Sequence, residues 1–456
     1  MSLFPQIVRN IIAPVWALWE RSPYLRYARR LRFSQFESLE VVRDRQWQKL
    51  EHMVQFAFEH TPFWKKRFCQ IGLHPCEIRT PEQFAQLPIL TKADLRESSH
   101  ELLSNKSSSM KLVRKTTSGS TGTSVAVFVD EDAIEFKRAY TLRSDEWSGW
   151  QLGELKAAIW GNPEYVKRGW RGRIRNALLE RSTYLDTLKM DEKTMTAYHD
   201  ELRRRSPSLL FGHAHSLYLF AEFVRSRGGA GFRPKGIIST AMVLHDWERQ
   251  SIEEVFDAPV TNRYGCEEVS LIACQCEKQE GLHINADGVY VETIRPDGSP
   301  AAPGEPGRII VTDLVNHAMP LLRYEVGDVG VLSDKVCSCG RGLPLIDRLE
   351  GRVADYVVTS RGELISGISL TENFAVKVPG VEQVQIVQKD LNYFVFRLVR
   401  GAGFGDESEL AVKKLAKERF GDDVNYHCEY LDKIPQDPSG KYRFCISMVD
   451  WSKYIK

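Results

Sequence analysis

The run Thr116-Thr-Ser-Gly-Ser-Thr-Gly-Thr123 has the residue types that grip an anion. Gly119 and Gly122 permit tight turns and close approach of backbone N–H groups to a negative group. Thr117, Ser118, Ser120, Thr121 and Thr123 add hydroxyl donors, and Arg114 and Lys115 place positive charge just before the loop. The pattern suits a polyphosphate. It is not the Gly-x-x-x-x-Gly-Lys-Ser/Thr loop of the P-loop nucleotidases, because no lysine follows the second glycine. On composition alone a solvated hairpin turn is the alternative. A second constellation joins Cys276 and His283 to Cys337 and Cys339, some fifty residues further on. Three thiolates and one imidazole suit tetrahedral Zn²⁺ with no open position, which is a structural clip between two loops and not a water-activating centre. Cys274 competes as a ligand, and unligated thiols are the alternative. Cys69, Cys76, Cys428 and Cys445 read as core fillers.

These groups need elements to position them. Lys111-Leu-Val-Arg and Val125-Ala-Val-Phe-Val flank the hydroxyl-rich loop, so the spacing predicts strand, loop, strand. Apolar residues recur at helical intervals from Leu39 to Phe68, and Ser98–Ser109 reads as a loop. Helical patterns and short β-branched runs then alternate to about residue 275, as an α/β layered domain requires. Ile309-Ile-Val-Thr is a strand entered through the turn Pro303-Gly-Glu-Pro-Gly. Beyond residue 352 the pattern predicts strands at Tyr356–Thr359, Val384–Gln388 and Tyr393–Leu398, and a helix at Glu407–Phe420. The fold class expected is therefore α/β, a large N-terminal domain over 1–352 with a helical segment to about residue 100, followed by a small α+β domain over 353–456. With 456 residues the chain is long enough for both. Lys and Arg number 62 against 60 Asp and Glu, so bulk charge implies no nucleic-acid partner. Nine cysteines, odd in number and clustered, point to a reducing, cytoplasmic setting with one metal site.

Four further elements follow the loop in order: Tyr264-Gly-Cys-Glu-Glu, Arg323-Tyr-Glu-Val-Gly-Asp328, Glu350-Gly-Arg352 and Pro438-Ser-Gly-Lys-Tyr-Arg443. With the loop, they resemble the signature of the adenylate-forming superfamily, which includes acyl-CoA synthetases, luciferases and peptide-synthetase adenylation domains. Thr61-Pro-Phe-Trp and Leu87-Pro-Ile-Leu-Thr-Lys-Ala-Asp-Leu-Arg resemble the phenylacetate–CoA ligase branch and, within it, the CapK-like proteins of capsular polysaccharide. The resemblance covers nearly the whole chain. It implies activation of a carboxylic acid by ATP with release of pyrophosphate. Lys441 would bridge the attacking carboxylate and the α-phosphate. Asp328 would accept from both ribose hydroxyls, with Arg352 beside the same ribose. Tyr264 and Gly265 would border the adenine, and Glu268 would hold Mg²⁺. Some members of the branch carry a zinc ion, which favours the Cys276/His283/Cys337/Cys339 set. His213 and His215 lie where the family's acid pocket begins and have either a substrate or a structural role. Glu267 replaces a usual hydroxyl residue, Ser124 a frequent proline, and Ala354 a usual charged hinge residue.

The resemblance names coenzyme A as the leading acyl acceptor. Gly362-Glu-Leu-Ile-Ser-Gly, however, lacks the valine-, phenylalanine- and proline-bearing loop of phenylacetate-activating relatives. A sugar amine or hydroxyl, or a carrier-protein thiol, in surface-polysaccharide assembly therefore stays open as acceptor. An ATP phosphotransferase and a non-catalytic, zinc-clipped scaffold are the rival classes. Leu3, Phe4, Ile7, Val8, Ile11, Ile12, Val15, Trp16 and Trp19 recur at helical spacing ahead of Arg21, Arg26, Arg29, Arg30 and Arg32. That stretch is too short and polar to span a bilayer and lacks the features of a signal peptide. It reads as a helix packed on the body or as an interfacial helix in peripheral contact with an anionic membrane.

Overall fold

Pro62 divides the expected helical run from Leu39 to Phe68. Proline restricts the residue before it to extended geometry, and Thr61 sits at φ −123°, ψ 113° between helices Leu39–His60 and Pro62–Ile71. The first helix is capped by the Ser38 hydroxyl, which accepts from the Val41 N–H, and it buries Val42, Gln46, Leu50, Met53, Val54 and Ala57. In the computed structural model the described residues are all except 1–2, 117–125, 161–168, 188–189, 353–355, 360–363, 367–369, 371–373, 375–376, 422, 436–442, 444 and 450–456.

The centre is an 11-stranded sheet in two halves. One half is parallel, in the order Ser182–Leu185, Lys156–Ile159, Leu209–His213, Gly236–Thr240 and Val260–Cys266. Its strands are nearly continuous apolar runs because helices Glu192–Arg205, Ala214–Ser226 and Asp246–Phe256 pack against it. The other half is antiparallel: Ser270–Gln275, Leu282–Ile284, Leu345–Arg352, Tyr324–Ser333, Pro306–Asp313 and Val289–Ile294. The layered α/β class expected of this region is the one observed.

The predicted hairpin forms. Strands Leu112–Thr116 and Ala126–Asp130 pair antiparallel, with Thr116 opposite Ala126 across the mouth of the hydroxyl-rich loop. Asp130 anchors its far end: one carboxylate oxygen caps helix Glu131–Glu146 through the Ala133 N–H at 2.8 Å, and the other accepts from the His317 N–H at 2.8 Å. A separate four-stranded sheet follows in the order Asn425–Leu431, Tyr393–Arg400, Val381–Asp390 and Cys445–Ser447, covered by helix Asp406–Phe420 around Phe374, Phe394, Phe396 and Phe420. Its central strands and helix match the expected ones to within a few residues. Two of the four supposed core cysteines do not: Cys69 and Cys76 are exposed, Cys428 is half-buried, and only Cys445 is buried. Cys69 lies on the outer face of its helix, while Phe63, Trp64 and Phe68 take the inner one.

Candidate functional site

Strands Val260–Cys266 and Ser270–Gln275 form a hairpin that carries the Tyr-Gly-Cys-Glu-Glu segment at its tip, with a bulge between Tyr264 and Gly265. Glycine is required at 265, since a β-carbon there would lie 2.5 Å from the Ser270 carbonyl oxygen. The bulge re-aims Tyr264, whose hydroxyl donates to Asp328 Oδ2 at 2.8 Å. Asp328 lies on strand Tyr324–Ser333, in register opposite Arg352. Four residues earlier, the buried Tyr324 hydroxyl donates to Glu268 Oε1 at 2.7 Å. The structure thus brings Tyr264, Gly265, Glu268 and Asp328 to one sheet end, with the Arg352 backbone beside them.

Lys115, one residue before the hairpin mouth, reaches the same end and donates to the Ser270 hydroxyl at 3.0 Å. Burial, followed by the nearby Lys137 ammonium, lowers its pKa, and Glu267 partly offsets this. Burial and the Glu268 carboxylate push the Cys266 thiol and the Tyr324 phenol well up, so both are neutral donors around that carboxylate. Thr117, Ser118, Gly119, Ser120, Thr121, Gly122 and Thr123 lie outside the described residues, as do Lys441 and Ala354; the Arg352 side chain is likewise not described.

The cysteine constellation assembles between two loops. One ligand atom each from Cys276, His283, Cys337 and Cys339 falls within a 4.8 Å spread. Cys276 and Cys337 sulfurs are 3.7 Å apart, and Cys339 Sγ is 3.4 Å from His283 Nε2. A tetrahedral site with bonds of about 2.0–2.3 Å has ligand-to-ligand edges of about 3.4–3.8 Å. The donor set therefore fits zinc in chemistry, and these two separations match such edges. Backbone N–H groups of Lys278 and Arg341 each donate to a ligand sulfur at 3.4 Å. Burial would raise the Cys339 thiol, but the Arg341 N–H and side chain hold it below its ordinary value. His283 is lowered to about 4 by burial and then by Arg341, which keeps its ring neutral and able to ligate. Cys274 is not in this set; its thiol lies at Arg263 instead.

Comparison with known proteins agrees with this architecture. Residues 357–448 match the CapK C-terminal domain. The chain is 26% identical over 415 residues to protein CapK of Staphylococcus aureus, covering 88% of each, and 26% identical over 403 residues to a phenylacetate-coenzyme A ligase of Thermus thermophilus, covering 84% of this chain and 86% of that one. The solved structure of 2-hydroxyisobutyryl-CoA ligase in its postadenylation state superposes with TM-score 0.72 at 18% identity over 90% of each chain. In its thioesterification state the same ligase gives 0.60. The chain has the fold of that CoA ligase, and its C-terminal part matches the CapK C-terminal model.

Several contacts of these residues escaped the sequence. Tyr324 sits inside a quoted motif, yet nothing in its spacing says that its hydroxyl faces Glu268. Neighbouring Arg323 is structural: at φ 46° it pairs with Glu292 and donates to the Leu87 carbonyl, which ties the 85–87 turn to the sheet. His215 is buried, with Nδ1 2.8 Å from Glu248 Oε1 and Nε2 3.3 Å from the Gln383 amide nitrogen of the CapK domain. The Gln383 carbonyl oxygen accepts from the Ile434 N–H at 3.1 Å, shortly before the Pro438–Lys441 segment. Buried His213 packs at a tilt against Trp160 with ring centroids 4.2 Å apart. Only tertiary pairing, across 31 to 236 residues of chain, reveals these contacts.

Proposed function

We propose that this protein joins a carboxylic acid to ATP, forming an acyl-adenylate and pyrophosphate, and then passes the acyl group to an acceptor, with coenzyme A the leading one. The observation that carries the reading is the convergence of Asp328, Tyr264, Glu268 and Lys115 on one sheet end, Lys115 coming from the strand that precedes the glycine- and hydroxyl-rich run in sequence. Matches to CapK and to phenylacetate-coenzyme A ligases over most of the chain support it.

In this reading a carboxylate oxygen of the acid attacks the α-phosphorus of ATP as the bond to the pyrophosphate oxygen breaks. Both reactants are anionic, so fixed donors and cations must meet the charge that develops. Backbone and hydroxyl groups of Thr117–Thr123 hold the β- and γ-phosphates, Asp328 accepts from the ribose hydroxyls, and Tyr264 with Gly265 borders the adenine. Lys441 bridges the acid and the α-phosphate. Bound Mg²⁺ would supply positive charge at the phosphates, and Glu268, oriented by Tyr324, is the residue to hold it. Cys276, His283, Cys337 and Cys339 would hold zinc with four protein ligands, which suits a role in the fold.

Residues 1–352 would bind ATP and acid, and 353–456 would be the lid that delivers Lys441. The higher likeness to the postadenylation form, together with the Gln383–His215 contact, supports an adenylation-type arrangement in this structure. A sugar amine or hydroxyl, or a carrier thiol, is the second reading for the acceptor, and it rests on the resemblance of the sequence to the CapK-like branch. Product analysis tests the proposal: ATP, Mg²⁺ and a panel of carboxylic acids should yield acyl-adenylate and pyrophosphate, and a thioester with free AMP when coenzyme A is present. Production of ADP would place the chain among phosphotransferases and overturn it.

A further inference from the structure

Helix Phe4–Trp19, continuous through a wider turn at Val8–Ile12, buries Val8, Ala13 and Ala17. It lies so close to the body that a β-carbon at Gly153 would be 2.5 Å from the Pro5 carbonyl oxygen. Docking leaves Leu3, Ile7, Ile11, Val15 and Leu18 in an exposed stripe at intervals of about one helical turn, with Trp19 at its end. Leu18 is 79% exposed and Trp19 75%.

A second segment from far along the chain repeats the pattern. Residues Gly169–Arg175 and Asn176–Glu180 are helical and bury Gly172 and Leu179, while exposing Trp170, Ile174 and Leu178 at the same interval. This segment runs beside the first helix. The Arg175 guanidinium sits 5.9 Å from the centre of the Trp16 ring and pairs with Glu20, and that of Arg181 lies 4.8 Å from the Phe4 ring. Two neighbouring helices thus turn apolar faces outward, where a water-soluble surface would carry polar groups.

The charge around these faces is one-sided. Arg21, Arg26, Arg29, Arg30, Arg171 and Arg173 are exposed, whereas Glu20 and Glu180 both pair with Arg175. The chain as a whole carries a net charge of only +2. Among the described residues no helix is long and apolar enough to cross a membrane. We propose that the paired helices Phe4–Trp19 and Gly169–Glu180 form a docking face for an anionic lipid bilayer. They lie in its interface, with Trp19 and Trp170 inserted and the arginines against the headgroups. Apolar area and cationic charge cooperate in such binding, and the charge part is screened by salt.

Cosedimentation of the full chain with phosphatidylcholine vesicles, with and without phosphatidylglycerol, tests this. Binding is expected to the anionic vesicles, weakening as salt rises, and to be roughly tenfold or more weaker with phosphatidylcholine alone. The double variant Ile11→Glu/Val15→Glu and the single variant Trp170→Glu, altered on different helices, should each lower binding by about tenfold with an unchanged melting temperature. The triple variant Arg26→Glu/Arg29→Glu/Arg30→Glu should abolish the preference for anionic lipid. Absence of binding to anionic vesicles at low salt overturns the proposal, as does undiminished binding by a folded Trp170→Glu chain. A solution dimer that Trp170→Glu disperses, without vesicle binding, would assign the face to a second copy instead.

Discussion

Asp328→Asn probes the nucleotide site at the position where the structure is most explicit. The wild-type carboxylate accepts from Tyr264 at 2.8 Å, and a carboxylate offers about four lone-pair directions, so two ribose hydroxyls fit beside the tyrosine. Asparagine keeps one acceptor oxygen and turns the other into a donor. At least one charge-assisted hydrogen bond to ribose is lost, worth about 1.5–3 kcal/mol. That corresponds to a KM for ATP raised roughly tenfold to 150-fold. The decisive assay sets ATP against 2′-deoxy- and 3′-deoxy-ATP in both proteins. Wild type should prefer ATP by about tenfold or more, and Asp328→Asn should shrink that preference to within about threefold, because the lost partner is the hydroxyl itself. A variant that keeps wild-type discrimination against both deoxynucleotides would refute the ribose assignment. Tyr264→Phe is the milder control, expected to cost about 1 kcal/mol through loss of one orienting hydrogen bond.

Other consequences follow from the buried polar groups. Tyr324→Phe removes the donor to Glu268, so stability should fall by about 1–3 kcal/mol in denaturant titration and the magnesium requirement should rise. Purified protein should contain zinc by elemental analysis, and Cys339→Ser should abolish it and lower Tm by roughly 5 °C or more, while the nucleotide preference is unchanged. Burial alone would raise the Asp145 and Asp287 carboxyls, but Arg263 and Lys156, and Arg143, Lys49 and Arg45, hold them below the ordinary range. Their stabilisation is complete above an unfolded value near about pH 4 and is lost as pH falls through the depressed folded values, so unfolding midpoints should drop on that side. Asp287→Asn should be less stable at neutral pH and show a shallower acid decline.

How much of this was readable beforehand depends on whether a feature is local. The loop hairpin was legible because strand propensity and glycine punctuation sit next to each other, from Lys111 to Val129. The Cys/His cluster was legible because thiol and imidazole types are rare and clustered, although spacing alone could not separate Cys274 from Cys276. Pairing did that: Cys276 faces Cys337, whereas Cys274 meets Arg263. The break at Thr61–Pro62 was written in the proline but hidden by an apolar period that continues across it. The Tyr324–Glu268 bond, the Glu248–His215–Gln383 chain and the exposure of Cys69 depend on tertiary placement, and no local pattern encodes them. The strand Asn425–Leu431 alternates half-buried and exposed residues at a sheet edge, a weak signal in a polar sequence.

The central claim is that acid and ATP meet under Lys441. Exchange of labelled pyrophosphate into ATP, driven by a carboxylic acid, measures that step without reference to any acceptor. The account predicts acid-dependent exchange in the wild type. In Lys441→Ala that exchange should fall by at least about a hundredfold, as for removal of a principal charge-stabilising group, while ATP affinity changes by no more than about threefold. Exchange that persists in Lys441→Ala would contradict it.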